Sequence, residues 1–254
     1  MGRMSVEANH RQRLDQALVD RGLAPTRSQA RDLVKRGCVR VGGARALKAG
    51  VAVAAGATIE VDADAQPYVS RGGLKLAAAL DAFGFDARGV TALDIGASTG
   101  GFTHVLLERG ARRVYAIDVG HGQLHPAMAA DMRVVSREGQ DIRLIDAGMV
   151  PEPVGAIVAD VSFISLTQAL GPALALAAPA AWLVALIKPQ FEVGREDIGK
   201  GGIVREAAAR ERASGKVRDW IAGQPGWRIA GIIASPIAGG SGNAELLIGA
   251  RRDG

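Results

Sequence analysis

The sequence predicts an α/β fold, a mostly parallel sheet layered with helices, preceded by a small α+β module. Three observations predict it. Beyond Ser70, short apolar runs alternate with segments of helical periodicity, the pattern of strands joined by crossover helices. Several of those runs end in a charged residue (Asp94, Asp118, Asp160, Lys188), and in open α/β sheets ligands bind beyond the carboxyl ends of the strands. The charge is also uneven: residues 11–48 carry ten Lys or Arg against three Asp, a balance of +7, whereas residues 71–254 carry twenty against nineteen. A basic front end on a nearly neutral body suggests a polyanion-binding attachment.

In the front module, Leu14, Ala17 and Leu18 recur at helical spacing and Gly22 can stop that helix. Thr26-Arg27-Ser28-Gln29 reads as a capping box, with Thr26 as N-cap and Gln29 reaching back, and Gly37 stands where a left-handed C-terminal residue is wanted. Between the caps, Arg27, Arg31 and Lys35 fall four residues apart and form one basic stripe, while Ala30, Leu33 and Val34 can face a small core. Arg13, Arg36 and Arg40 extend the set of candidate RNA contacts. Val39 and Val41 alternate with polar neighbours, Gly42-Gly43 supplies a turn into a second short strand, and 58–61 reads as a closing strand. No aromatic residue interrupts this stretch, so phosphate and shape recognition are expected rather than base stacking. The expected organisation is a flexible N-terminus over 1–11, an RNA-binding module over 12–62, a polar, proline-containing linker over 63–70, and a second domain over 71–254.

In that second domain a helix is expected near 72–84, and strands over 91–95, 113–118, 133–136, 156–160, 181–188, 227–234 and 245–250. Helices fit over 165–177 and 205–222. The glycine-rich stretch 235–243 joins the last two strands, which predicts an antiparallel edge hairpin.

After the first of those strands comes Asp94-Ile95-Gly96-Ala97-Ser98-Thr99-Gly100-Gly101. Gly96, Gly100 and Gly101 let the backbone approach a ligand, and the following helix offers free N–H groups. A dinucleotide fingerprint would want glycine at 98, where this chain has Ser98, which weakens a nicotinamide reading without excluding it. S-adenosylmethionine fits better: Asp94 is the candidate for its ammonium and Asp118 for its ribose hydroxyls, Asp141 suits either its adenine amino group or an ordinary surface or N-cap role, and Val119 and Asp160 complete the candidate cofactor contacts.

Composition narrows the function classes. The apolar share is 48%, yet no apolar stretch is long enough to span a bilayer, and the first ten residues lack the hydrophobic segment of a signal peptide. One cysteine, Cys38, allows no internal disulfide, which suits a reducing cytoplasm, and it is read as a small buried apolar group. No His/Cys cluster suggests a metal. His121 and His125 are candidates for loop hydrogen bonds or contacts with cofactor or RNA, and the glycine-rich 194–202 for a loop closing over substrate.

Residues 12–62, through Leu14-Asp15-Gln16-Ala17-Leu18, Ser28-Gln29-Ala30-Arg31 and Gly37-Cys38-Val39-Arg40-Val41, resemble the RNA-binding module of small-subunit ribosomal protein four. The body resembles the hemolysin A (TlyA) family of RNA methyltransferases and, more distantly, the FtsJ ribose methyltransferases. The match is carried by Ser70-Arg71-Gly72-Gly73-Leu74-Lys75, the glycine turn, Asp118–Leu124, Asp160-Val161-Ser162-Phe163, Lys188-Pro189-Gln190-Phe191-Glu192 and Gly242-Asn243-Ala244-Glu245. That resemblance implies a Rossmann-like class I methyltransferase sheet, S-adenosylmethionine as cofactor, ribosomal RNA in a ribosomal subunit as partner, and a cytidine ribose as target. It also maps a Lys-Asp-Lys-Glu tetrad onto Lys75, Asp160, Lys188 and Glu245. Where the family usually has Asn on the adenine side, this chain has Asp141.

The chemistry of the tetrad is intelligible on its own. A ribose 2′-hydroxyl is a poor nucleophile until its proton leaves. Lys188, held between Asp160 and Glu245 and close to Lys75, is expected to have its pKa lowered by the second cation and by burial, and so to serve as general base. Lys75 then stabilises the developing oxyanion. Three readings compete: a membrane-active cytolysin, for which the chain offers no secretion signal or pore-forming segment; a non-catalytic ribosome-binding factor, against which the intact tetrad argues; and a base methyltransferase, whose usual motifs are not evident. Stable membrane association is not expected, and the oligomeric state is left open.

Overall fold

The computed structural model describes residues 11–24, 27–35, 37–62, 68–239 and 242–254, without the side chains of residues 28, 29 and 32. The expected cap of Thr26 and Gln29, residues 1–10 of the N-terminal segment expected to be flexible over 1–11, Arg36 and most of the linker lie outside the described residues. The chain divides into two compact units, residues 1–67 and 68–254.

The first unit runs β1 (Arg11–Arg13), α1 (Leu14–Asp20), α2 (Arg27–Lys35), β2 (Val39–Val41), β3 (Ala44–Arg45), β4 (Ala52–Ala54) and β5 (Ile59–Val61). Strands β3, β2 and β5 form one antiparallel sheet, and β1 pairs with β4 in a second ribbon. Gly42 and Gly43, both at positive φ, make the turn between β2 and β3. Leu14, Leu18, Ala30, Leu33, Val34 and Val39 form its core, so the spacing read from the sequence does mark the buried face. The β1–β4 ribbon was not anticipated, because three-residue strands carry too little alternation to register. Cys38 is half-buried rather than buried.

The second unit contains α3 (Gly72–Phe83), β6 (Thr91–Ile95), α4 (Gly101–Glu108), β7 (Arg113–Ile117), α5 (Pro126–Ala129), β8 (Val134–Arg137), β9 (Val154–Ala159), α6 (Leu166–Ala175), β10 (Ala177–Ile187), α7 (Ala207–Ala222), β11 (Trp227–Ala234) and β12 (Leu246–Arg252). The seven-stranded sheet has the order β11-β12-β10-β9-β6-β7-β8. Every neighbouring pair is parallel except β12 with its two partners. The expected antiparallel edge hairpin is present: β12 pairs antiparallel with β11 and joins the hairpin to β10, which leaves β11 at one edge of the sheet.

The strands alternate between two cores, as a sheet covered on both faces requires. Leu93, Ile95, Ile157 and Leu183 pack on one face with Leu166, Leu170, Val217 and Ile221. Ala92, Val158, Val184 and Leu186 pack on the other with Leu76, Leu80, Val105 and Leu106. Strand β10 begins four residues before the expected 181, with an irregular register against β9 after Ala177 and Ala180 at φ +59°. Alanines and a proline there have weak strand propensity, so their neighbours decide the conformation. Tyr68 and Val69, expected to end the linker, belong to the second unit: the Val69 N–H donates to His104 Nδ1 at 3.1 Å. No helix among the described residues is long and apolar enough to cross a membrane.

Candidate active site

Three adjacent strands position the charged residues. Ile187 of β10 pairs with Leu246 of β12, and Ala185 of β10 with Ala159 of β9. Asp160, Lys188 and Glu245 each stand one residue beyond these paired segments, so all three emerge at one edge of the sheet. Lys75 comes from α3, which packs against β12.

The four charges form two pairs. Lys75 Nζ lies 2.6 Å from Glu245 Oε2, with side chains 10% and 3% exposed. Lys188 Nζ lies 2.6 Å from Asp160 Oδ1, with side chains 12% and 23% exposed. Lys188 also donates to Ser162 Oγ at 2.8 Å. The expectation that Lys188 sits between Asp160 and Glu245 is thereby corrected: Glu245 is taken by Lys75. Two ammonium groups near a low-dielectric edge repel, and each settles against its own carboxylate. Space for Glu245 depends on Gly239, where a Cβ would come within 2.3 Å of Oε1. Ser162 was not singled out in the sequence, although it lies in the quoted Asp160–Phe163 motif.

Beside Asp160 opens a cavity of about 510 Å³, within the usual size of small-molecule sites. Gly96, Ser98, Asp118, Val119, Asp141 and Asp160 all line it. Gly96 has φ +77°, and a Cβ there would meet the Asp160 carbonyl oxygen at 2.7 Å, so only glycine lets the turn lie so close to β9. Ser98 adopts φ +47° where a glycine would be at ease, a local strain of the sort that collects at binding sites. Asp118 accepts from the backbone N–H of Ser98 at 2.8 Å and of Gly120 at 2.7 Å, joining two loops while keeping lone pairs for further donors. Val119 is 71% exposed and offers an apolar ledge. Asp141 accepts from the backbone N–H of Arg143 at 3.0 Å and from its guanidinium, which holds the carboxyl down at about 2. With apolar walls, carboxylates and a close backbone, the cavity suits S-adenosylmethionine.

Three expected cofactor residues stand elsewhere. Asp94 is fully buried and does not line the cavity; its Oδ2 accepts from Thr103 Oγ1 at 2.6 Å and its Oδ1 has no hydrogen-bond partner. Burial raises its pKa to about 7. Covered in this way, it is not open to an ammonium in the cavity. Gly100 instead makes room for Leu124 and Met128, and Gly101 for Ser70 Oγ, which a Cβ would approach to 2.1 Å. Their smallness serves helix packing.

Other residues frame the site. Phe163 is 91% exposed at φ +66° on the cavity rim, its ring centroid 5.2 Å from that of Phe191. Asn243 donates to the Gly202 carbonyl at 2.8 Å and accepts from the Val204 N–H at 2.9 Å, and Arg212 holds Asp197 at 2.8 Å, so the 194–202 loop is tied down at two points. His125 caps α5, accepting from the Ala127 N–H at 3.2 Å. His121 Nε2 lies where a Cβ on Gly139 would come within 2.4 Å, so it packs on that turn.

In the first unit, the two arginines of the expected stripe, Arg27 and Arg31, converge with Arg13 on a carboxylate. Arg13, Arg27 and Arg31 all pair with Asp15. Lys35 is exposed, and Arg40 lies 3.8 Å from Asp62.

Comparisons agree with this division. Residues 68–252 match the family model for FtsJ-like methyltransferases, and residues 12–59 that for the S4 domain. The chain is 44% identical over 243 residues to the 16S/23S rRNA (cytidine-2′-O)-methyltransferase TlyA of Mycobacterium tuberculosis, covering 94% of this chain and 89% of the relative. It is 40% identical to hemolysin A of Brachyspira hyodysenteriae, covering 92% and 98%. A solved Streptococcus thermophilus structure bearing a hemolysin name is 38% identical with a TM-score of 0.74, over 97% of this chain and 90% of that one.

Proposed function

This chain belongs to the hemolysin A (TlyA) family of S-adenosylmethionine-dependent, FtsJ-like methyltransferases with an S4 domain, and from that membership we propose that it methylates a ribose 2′-hydroxyl of ribosomal RNA, at a cytidine. The observation that carries the reading is the Lys188–Asp160 pair at the edge of the cavity, with a second lysine–carboxylate pair on the neighbouring strand end.

S-adenosylmethionine, when bound, supplies an electrophilic methyl group. Gly96, Asp118, Val119 and Asp141 would hold it in the cavity beside Asp160. Lys188 Nζ, oriented by Asp160 Oδ1 and Ser162 Oγ, would accept the proton of the 2′-hydroxyl. Lys75, fixed by Glu245, offsets the charge that develops on the oxygen. The Phe163 face at the rim offers a stacking surface for a base drawn out of its helix. Ribosomal subunits are the substrate particle, so the cytoplasm is the expected compartment.

The test is to incubate the protein with labelled cofactor and undermodified ribosomal subunits and to map the modified nucleotides. Methyl groups on ribose 2′-oxygens of cytidine are expected. Methyl groups on a base would defeat the assignment.

A further inference from the structure

Asp15 is an unexpected residue on a module meant to hold a polyanion. It is fully buried, on the first turn of α1, and its backbone N–H donates to the Ala49 carbonyl at 2.9 Å. A buried carboxylate needs a partner, and one arginine would suffice. Among the described residues this one has three. Arg13 closes on it with two bonds, Nε to Oδ1 at 3.0 Å and Nη2 to Oδ2 at 3.1 Å. Arg27 Nη2 and Arg31 Nε reach the same Oδ2 at 3.3 and 2.8 Å. Arg13 comes from β1 and the other two from successive turns of α2. Their side chains remain 53%, 46% and 55% exposed.

Each guanidinium carries five N–H donors in a rigid fork. Arg13 spends two on Asp15, and Arg27 and Arg31 one each, so among the described residues most of the donors remain for an outside acceptor. The cluster keeps a net charge of +2. Without a shared counter-charge, three guanidiniums so near one point would repel and splay, at the cost of the side-chain order that a phosphate contact needs.

We propose that Asp15 is the positioning residue of a phosphate clamp: it gathers Arg13, Arg27 and Arg31 so that their remaining N–H donors grip backbone phosphates of the RNA. This rests on RNA as the substrate. Charge counting alone argues the opposite, since a carboxylate beside an RNA-binding face weakens attraction. The two accounts therefore predict opposite signs for one substitution.

Asp15→Asn removes one negative charge, raising the net charge of the module by one at nearly constant shape. The clamp predicts that full-length D15N binds ribosomal RNA from undermodified subunits about tenfold more weakly, and that the slope of log affinity against log salt flattens. The flattening should match about two lost phosphate contacts, each worth roughly 0.7–0.9 in slope. KM for RNA should rise while kcat at saturating RNA is retained, and Arg31→Gln should cost much less in the D15N background than alone. Equal or tighter binding by D15N, with an unchanged slope, overturns the clamp. Circular dichroism reports whether D15N folds. If it does not, Arg27→Gln and Arg31→Gln carry the test, since both leave the Arg13–Asp15 pair intact; each should lower the slope by about one contact, and unchanged slopes overturn the clamp. Binding is read without turnover, so the two ideas fail separately. A wild-type protein that binds RNA but transfers no methyl defeats the proposed function alone; one that methylates RNA while D15N binds it equally well defeats the clamp alone.

Discussion

Lys75 and Lys188 have similar exposure and each has one carboxylate, yet losing them should have different consequences. Glu245 is the more deeply covered partner, at 3% side-chain exposure against 23% for Asp160. Lys75→Ala leaves a carboxylate stranded away from water and should destabilise the second unit by roughly 3–5 kcal/mol in denaturant titration, whereas an apolar pair at both positions should recover much of that loss. Lys188→Ala leaves Asp160 partly hydrated, so the melting temperature should move little. A small stability cost for Lys75→Ala would contradict the buried pair. At this scale much was legible: a charge closing an apolar run is costly unless paired or used, and that argument located Asp160, Lys188 and Glu245. Pairing was not legible, because which carboxylate each lysine takes depends on strand order and on space such as that beside Gly239. Asp15 was passed over for the same reason, since its arginines come from separate elements.

The elements set the site through two close approaches. The turn after β6 lies against the end of β9 only because residue 96 has no side chain, and Gly96→Ala would place a Cβ 2.7 Å from the Asp160 carbonyl at a φ of +77°. The turn or the strand end must move, disturbing the cavity wall and Asp160 together. Cofactor affinity is expected to fall at least about tenfold by calorimetric titration, equivalent to about 1.4 kcal/mol; affinity within twofold of wild type would remove this turn from the binding wall. Strong periodicity made β6, β9, α3 and α7 readable to within two residues at each end. The 177–181 stretch and the β1–β4 ribbon were not, since alanine-rich or three-residue strands are decided by their partners. The glycine-rich stretch before β12 made the β11–β12 edge hairpin legible, but not which of its two strands would join β10.

Across the whole molecule, the two units carry opposite titrations. Arg13 and its neighbours hold the Asp15 carboxyl well below the ordinary value of 3.8, so its contribution is complete above about pH 4 and is lost as pH falls towards the lowered folded value. Burial raises Asp94 to about 7, so its contribution is complete below about pH 4 and is lost as pH rises through 7. Calorimetry between pH 4 and 7 should therefore show the second unit losing stability with rising pH, and Asp94→Asn, which retains the Thr103 contact, should flatten that slope; an undiminished slope would show that Asp94 is not its source. The division into a basic front and a neutral catalytic body was visible in charge balance alone. The reaction was not visible there, and the mechanism we propose makes it depend on the two ion pairs. The most direct test of that dependence is single-turnover methyl transfer to undermodified ribosomal subunits by Lys188→Ala, with cofactor affinity measured alongside. The account predicts a rate lowered by about 10²–10⁴ with cofactor affinity within twofold of wild type. A rate equal to wild type would contradict it.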